Sequence, residues 1–260
     1  MEFLALGNTG LLVSRTGFGA MSLDCPQIQS LGENAEQQVF ALVRKAYIAG
    51  MNIFDVSHTK PLCEKRLGAA LSGIRENVII CSKSSAQSVQ ELRCDIDESL
   101  INLDTGWIDI YMLDGLNQLS TDKTPDRLYQ ELARCKEQGI IKFTGFATED
   151  VDLAREAVMS GLYDVVQFPF NMLTDSSTEE VVRLCAEKQV GCIASQPMCK
   201  GLITNAPLAL GFFLQYENVS PVWGVQTIED LDNIIYLNNH PPRIDEQFLS
   251  DIARERAFFE

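Results

Sequence analysis

An alternation of strand-like and helix-like segments runs through almost the whole chain and constrains its fold more than any other feature. Apolar runs of strand length recur between segments whose apolar residues are spaced three or four positions apart, such as Val39, Leu42 and Val43. The strand candidates are residues 16–21, 52–55, 78–82, 108–113, 142–146, 165–168, 191–195 and 219–223. The other helix candidates are residues 92–103, 127–137, 151–159, 179–187, 208–215 and 228–237, with a terminal helix near 245–258.

Eight strands that alternate with helices predict a parallel barrel, because parallel neighbours need a helical crossover between them. The 260 residues also match the size of about 250 that is typical of a (β/α)8 barrel. Residues 3–6 and 12–14, joined by a Gly-Asn-Thr-Gly turn, predict an N-terminal β-hairpin. No linker interrupts the pattern. We therefore expect one α/β domain over residues 1–260, a TIM barrel with an N-terminal β-hairpin and a C-terminal helix.

Composition excludes several classes of partner. Acidic residues outnumber basic ones 36 to 21, so the net charge of −15 disfavours nucleic acid and anionic membrane surfaces. The eight cysteines form no Cys-x-x-Cys pair, and the two histidines, His58 and His240, lie far apart, so we expect no metal site. No signal peptide and no membrane-spanning run is recognisable. We expect a cytoplasmic protein that binds a small molecule; the sequence leaves a protein partner open.

Several segments, in the right order, resemble the aldo/keto reductases. They are residues 7–19 (GNTGLLVSRTGFG), 49–55 (AGMNIFD), 99–104 with 107–111 (SLINLD and WIDIY), 139–146 (GIIKFTGF) and 165–171 (VVQFPFN). The resemblance runs nearly end to end and implies the same barrel fold. Function does not follow from fold alone and has to be argued from the site.

The resemblance implies a catalytic tetrad of Asp, Tyr, Lys and His, of which this chain keeps half. Asp55 and Lys83 match the Asp and the Lys, whereas Lys60 stands at the Tyr position and Asp114 at the His position. A shifted alignment does not restore the missing pair, because no tyrosine lies between residues 47 and 111 and no histidine between residues 58 and 240.

Family members reduce carbonyl compounds with NADPH, and the resemblance implies that the positions which hold this cofactor are altered too. Ala147 and Thr148 replace a polar pair that grips the carboxamide, Ser195 replaces an aromatic residue that stacks on nicotinamide, and Gln226 replaces a basic residue that meets the 2′-phosphate. Each loss removes about 1–3 kcal/mol of binding free energy. The sequence favours no cofactor. NADP(H) stays possible, with Gln167, Ser195 and Gln226 as its contacts.

We expect the catalytic residues Asp55, Lys60, Lys83 and Asp114 to converge at the C-terminal mouth of the barrel. A partly desolvated lysine beside a second ammonium group has a lowered pKa, so it could act as a general base or a Schiff-base nucleophile. The residues expected around the substrate are His58, Thr148, Gln167, Asn171 and Gln196.

The first hypothesis is a non-redox acid/base enzyme, of the lyase, dehydratase, isomerase or cyclase type, that acts on a small polar metabolite. The second is an NADP(H)-dependent carbonyl reductase with an atypical proton donor. The third is a catalytically silent barrel that serves as a binding or regulatory subunit.

Overall fold

A computed structural model describes residues 1–119 and 126–259. Its strands, numbered in chain order, are β1 (Phe3–Ala5), β2 (Leu12–Ser14), β3 (Gly17–Gly19), β4 (Ile53–Asp55), β5 (Ile79–Ser84), β6 (Ile108–Asp114), β7 (Ile141–Ala147), β8 (Val165–Pro169), β9 (Gly191–Ser195) and β10 (Val219–Gly224). Strands β3 to β10 form a closed parallel barrel in chain order, in which β10 pairs with β3. The predicted barrel is confirmed.

Helices follow the barrel strands. In chain order they are α1 (Pro26–Gln29), α2 (Ala35–Ile48), α3 (Pro61–Leu71), α4 (Val89–Asn102), α5 (Arg127–Glu137), α6 (Val151–Ser160), α7 (Ser176–Lys188), α8 (Ala206–Leu214), α9 (Ile228–Asn239) and α10 (Glu246–Phe259). Helix α10 is the predicted C-terminal helix. No helix in residues 1–119 and 126–259 combines the length and the apolar character that a membrane crossing needs.

The apolar residues form two layers, one inside the barrel and one between the strands and the helices. Ile53, Ile110 and Val165 belong to the inner cluster, whereas Phe54 and Tyr111 belong to the outer one. Neighbours along a strand therefore face opposite layers, and both faces of the sheet are buried, as a parallel barrel requires.

The hairpin of β1 and β2 is antiparallel and closes the N-terminal end of the barrel. Its Leu4, Leu6 and Val13 are buried in the inner apolar cluster. A Cβ atom added to Gly191 at the start of β9 would lie 2.8 Å from the Leu6 side chain, so hairpin and barrel pack tightly. The opposite, C-terminal end remains open, and the site is built there.

The first barrel strand is shorter than predicted. The sequence predicted residues 16–21, but β3 covers only Gly17–Gly19 and a 3₁₀ turn follows over Ala20–Asp24. The Ser22 hydroxyl donates to the backbone oxygens of Gly19 at 2.9 Å and Val225 at 2.6 Å, which turns the chain away from the sheet. This contact ties the turn after β3 to the loop after β10.

Helix α3 has no counterpart among the helices predicted from apolar spacing. Two of its charged residues, Glu64 and Arg66, are buried against different neighbouring elements, so its apolar pattern is broken. Glu64 accepts a hydrogen bond from Ser82, and Arg66 pairs with Asp24 and Glu36. Buried charges that have such partners are invisible to a search for apolar periodicity.

The predicted single domain over residues 1–260 includes 120–125 and 260, which lie outside the described residues. That boundary stays a prediction.

Candidate active site

Three strands deliver polar side chains to one buried cluster at the C-terminal end of the barrel. Asp55 ends β4, Lys83 lies on β5 and Gln167 lies on β8; all three are buried. The Lys83 ammonium donates to both carboxylate oxygens of Asp55 at 2.8 Å and to Oε1 of Gln167 at 2.7 Å. Gln167 Nε2 donates to Oδ1 of Asp55 at 3.1 Å, which closes the triangle.

The three protons of the Lys83 ammonium match these three acceptors, since a lysine ammonium has three donors. The Lys83 ammonium is therefore fully engaged by side chains of the cluster, and these contacts give no support to a Schiff-base role.

Asp114, the last residue of β6, is half-buried beside this cluster. Burial raises the pKa of its carboxyl group, while Lys83 and the backbone N–H of Gly115 partly offset that rise, and the charges of Asp55 and Glu149 add to it. In residues 1–119 and 126–259, no cationic side chain lies within 4.0 Å of its oxygens. Within the described part of the chain, Asp114 is therefore a carboxylate without an ionic partner.

A cavity of about 600 Å³ opens above these residues. Asp55, Lys83, Asp114 and Gln167 line its floor and wall, and Met198 and Val222 contribute apolar surface. A space of this size accepts a small metabolite.

At the rim of the cavity, the Glu149 carboxylate is hydrogen-bonded to the side chains of Gln196 and Lys200. Oε1 of Glu149 accepts hydrogen bonds from Gln196 Nε2 at 2.7 Å and from Lys200 Nζ at 3.1 Å. Gln196 and Lys200 both have positive φ angles, of 54° each, which are unfavourable for residues other than glycine. The Asn171 side chain donates to the backbone oxygen of Gln196 at 3.1 Å and holds the segment from below.

Lys60 does not lie beside Asp55, Lys83 and Asp114 in the cavity, and a catalytic role for it stays a prediction. Lys60 is exposed, precedes Pro61 at the start of α3, and does not line the cavity. Its backbone N–H donates to Ser57, so the loop turns into the helix at this residue. Because Lys60 does not lie in the cavity with Lys83, the expected pair of neighbouring ammonium groups does not form there.

His58 is likewise placed outside the cavity. Its ring faces α4, with Nε2 at 3.2 Å from Asp95 and 3.7 Å from Glu98. Its backbone N–H donates to the carbonyl oxygen of Lys83 at 3.0 Å. These contacts hold the loop after β4 against β5, and a contact between His58 and a substrate stays a prediction.

The other residues that the sequence placed around substrate or cofactor separate into two groups. Thr148, Gln167, Ser195, Gln196 and Gln226 line the cavity. Asn171 is buried below the rim and does not line it. Whether any of them binds a ligand stays a prediction.

The sequence did not predict Glu149 as a site residue. The available signal was its position, two residues after the end of β7, where barrel loops carry functional groups. Its carboxylate became recognisable only through its contacts with Gln196 and Lys200, which follow β9.

Comparison with known proteins assigns the ancestry of this site. Residues 15–209 match the aldo/keto reductase family. The chain belongs to this family. L-galactose dehydrogenase of Arabidopsis thaliana is 31% identical over 220 residues, 79% of this chain and 68% of that protein. An uncharacterized oxidoreductase of Bacillus subtilis is 24% identical, over 78% of this chain and 67% of that protein.

Solved structures show the same fold. The holo form of an aldo-keto reductase from Bacillus halodurans superposes with a TM-score of 0.80 at 20% identity, covering 98% of this chain and 96% of the other. Its apo form gives a TM-score of 0.77 at 20% identity over 98% and 96% of the two chains. The relatives are named as oxidoreductases, which supports an enzyme and gives no support to a preference for non-redox chemistry.

Members of the aldo/keto reductase family typically bind NADP(H), so family membership does not support the expectation of no cofactor. Of the three residues expected to contact the cofactor, Gln167 is engaged by neighbouring side chains, whereas Ser195 and Gln226 have no side-chain hydrogen bond among the described residues. The Gln167 amide is held by Lys83 and Asp55, and Lys200 is paired with Glu149. Among the described residues that line the cavity, none is aromatic.

The junction of β10 and α9 is similarly closed. The backbone N–H groups of Gln226 and Thr227 donate to the Asp230 carboxylate at 3.2 and 3.0 Å. Glu229 adds a second acid to the first turn of this helix. A helix N-terminus attracts phosphate through backbone N–H groups that are free, whereas these are bonded to Asp230. The negative charges of Asp230 and Glu229 also repel a phosphate group. The residues present therefore do not fit a dinucleotide phosphate.

Proposed function

We propose that this chain is an enzyme of the aldo/keto reductase family in which Asp114 accepts a proton from a small polar carbonyl or hydroxyl compound. The observation that carries this proposal is that Asp114 lines the cavity with a raised pKa and has no ionic partner among the described residues. A carboxylate so placed has a basicity closer to neutral pH than an ordinary aspartate, as general-base catalysis requires.

The contacts favour non-redox proton transfer as the reaction. Asp114 removes a proton from the carbon beside a carbonyl group, the C–H bond breaks, and its electron pair moves toward the carbonyl oxygen to form an enolate. When the neighbouring carbon carries a hydroxyl group, return of the proton to the former carbonyl carbon, with a proton shift between the two oxygens, gives isomerisation. Departure of a hydroxyl group from the β carbon, which takes the proton held by Asp114 and leaves as water, gives elimination.

NADP(H)-dependent oxidoreduction is the second candidate. Membership of the family and the 31% identity to a protein named L-galactose dehydrogenase favour it. In that case a base at Asp114 accepts the proton of a substrate hydroxyl group. This candidate requires binding of the dinucleotide, which the engaged groups at Gln167 and at the start of α9 oppose.

Deuterium exchange tests the proposal directly. The protein is incubated in D₂O with uncharged hydroxyaldehydes and hydroxyketones, and loss of the proton next to the carbonyl is followed by NMR. The wild type is expected to catalyse exchange, and Asp114→Asn to lower the rate by about 10²–10⁴-fold. The control Glu137→Gln removes one exposed carboxylate on α5 and is expected to retain the rate.

A calorimetric titration with NADPH separates the two candidates. Weak or absent binding together with catalysed exchange supports the non-redox reaction. Tight binding together with oxidation of NADPH by a carbonyl compound supports the second candidate and overturns the first.

We further infer a reducing compartment, for which the cytoplasm is the simplest choice. All eight cysteines are free thiols, and five of them are buried, where they pack as small apolar residues.

A further inference from the structure

The cavity has an uneven balance of charges. Its lining holds the carboxylates of Asp55, Asp114 and Glu149 and the ammonium groups of Lys83 and Lys200. Lys83 is bound by Asp55 and Lys200 by Glu149, with N–O distances of 2.8 and 3.1 Å. Among the described residues Asp114 has no such partner, so a ligand meets one negative charge that they do not compensate.

The remaining hydrogen-bonding groups of the lining are neutral. Ser195 and Gln226 have no side-chain hydrogen bond within residues 1–119 and 126–259. The Thr148 hydroxyl oxygen accepts from the backbone N–H of Asp150 at 3.0 Å, and its own proton stays available. Hydroxyl and amide groups of this kind donate to and accept from hydroxyl groups equally well.

An anionic ligand would be opposed in this cavity. Both lysines are already neutralised by short contacts, so a ligand carboxylate or phosphate finds no free cation there among the described residues. It would instead lie near the half-buried Asp114, where two like charges repel more strongly than in water. A hydroxyl group has the opposite effect, because a carboxylate accepts hydrogen bonds from hydroxyl donors.

We propose that the cavity selects an uncharged compound with several hydroxyl groups and rejects its phosphorylated or carboxylated forms. Asp114 and the neutral groups of Thr148, Ser195 and Gln226 determine this specificity. The inference rests on the proposed function only because it names the substrate class of the same cavity. The binding preference itself does not require turnover.

Calorimetric titration with matched probes tests the proposal. D-ribose and D-ribose 5-phosphate differ by one phosphate group, and each is titrated into the full-length protein at low ionic strength. The wild type is expected to bind ribose at least about tenfold more tightly than its phosphate. Asp114→Asn is expected to narrow this ratio, because the substitution keeps the shape of the side chain and removes its charge.

Glu137→Gln is the control for net charge. It removes one negative charge from an exposed position on α5, outside the cavity, and is expected to leave the ratio unchanged. An equal shift in both variants would assign the effect to the overall charge of −15 and overturn the proposal. Stronger binding of the phosphate by the wild type, or no binding of either sugar, would also overturn it.

The two proposals fail separately. A retained binding preference without deuterium exchange contradicts the proposed function and leaves the selectivity standing. Catalysed exchange that is faster with ribose 5-phosphate than with ribose contradicts the selectivity alone.

Discussion

Replacing Lys83 by methionine removes the cation of the buried cluster at the barrel mouth. The Asp55 carboxylate then keeps only the Gln167 Nε2 donor, at 3.1 Å, of its three contacts in this cluster. The side chains of Lys83 and Asp55 are 6% and 3% exposed, so water does not replace the lost partner. Breaking a buried pair in this way costs about 3–5 kcal/mol. We expect Lys83→Met to lower the free energy of unfolding by that amount.

Gln167→Leu provides an intermediate step in the same cluster. It removes the 2.7 Å bond from the Lys83 ammonium but leaves the ion pair intact. A hydrogen bond to a charged group contributes about 1.5–3 kcal/mol, so the loss is expected to be smaller than for Lys83→Met. The double variant Asp55→Asn with Lys83→Met removes both charges. It is expected to lose less than the sum of the two single variants, because no uncompensated charge remains.

Urea unfolding at pH 7, followed by circular dichroism, measures these differences as shifts in midpoint at constant slope. Lys142→Met is the matched control, because Lys142 also pairs with a buried carboxylate, Asp109, at 2.8 Å. Its side chain is 47% exposed and Asp109 keeps Arg75, so we expect a loss below about 1 kcal/mol. Equal losses for the two lysine variants would refute the reasoning, as would a loss below about 1 kcal/mol for Lys83→Met.

Three further predictions concern other parts of the molecule. Because burial raises the pKa of Asp114, the deuterium-exchange rate measured across pH is expected to rise with an apparent pKa above the ordinary range of an aspartate. An apparent pKa at the ordinary value would contradict this prediction. Hydrogen bonds from Arg93 and Arg134 lower the pKa of Glu131 from 4.5 to about 2, so its stabilisation is complete above the unfolded value and declines as pH falls toward 2. Glu131→Gln is expected to cost about 1–2 kcal/mol at pH 6 after screening of the exposed arginines, and less at pH 3, in urea unfolding; an equal cost at both pH values would contradict it. In Gly68→Ala the new Cβ would meet the backbone oxygen of Leu103 at 2.5 Å, so thermal unfolding should show a loss of about 1–3 kcal/mol, whereas an unchanged midpoint would show that α3 moves freely.

The spacing of apolar residues along the chain was sufficient to predict the barrel. Burial on both faces of β5 and β6 leaves the short apolar runs 78–81 and 110–113, and the amphipathic helices between strands repeat with a period near 3.6. Both signals depend on residues that are close together in the sequence, so they can be recognised without knowledge of the fold. The buried charged residues of α3, Glu64 and Arg66, interrupt this spacing, so the apolar pattern did not predict the helix.

The sequence also determined that Asp55, Lys83 and Asp114 end or nearly end barrel strands, and parallel strands present these ends at one mouth. It placed Lys60 with these residues, and it did not predict that Glu149 lines the cavity. Lys60 follows β4 in a loop, and loop direction depends on contacts such as the backbone bond to Ser57 and the start of α3.

Only the tertiary structure showed which charges compensate one another. Asp55 and Lys83 are 28 residues apart in sequence, and Lys83 and Gln167 are 84 apart, yet all three meet in one cluster. Pairing leaves Asp114 as the carboxylate without a cation within ion-pair distance in the described residues. The sequence supplies the charged groups, whereas their pairing depends on distances that chain order does not contain, and electrostatic energy depends on distance and burial.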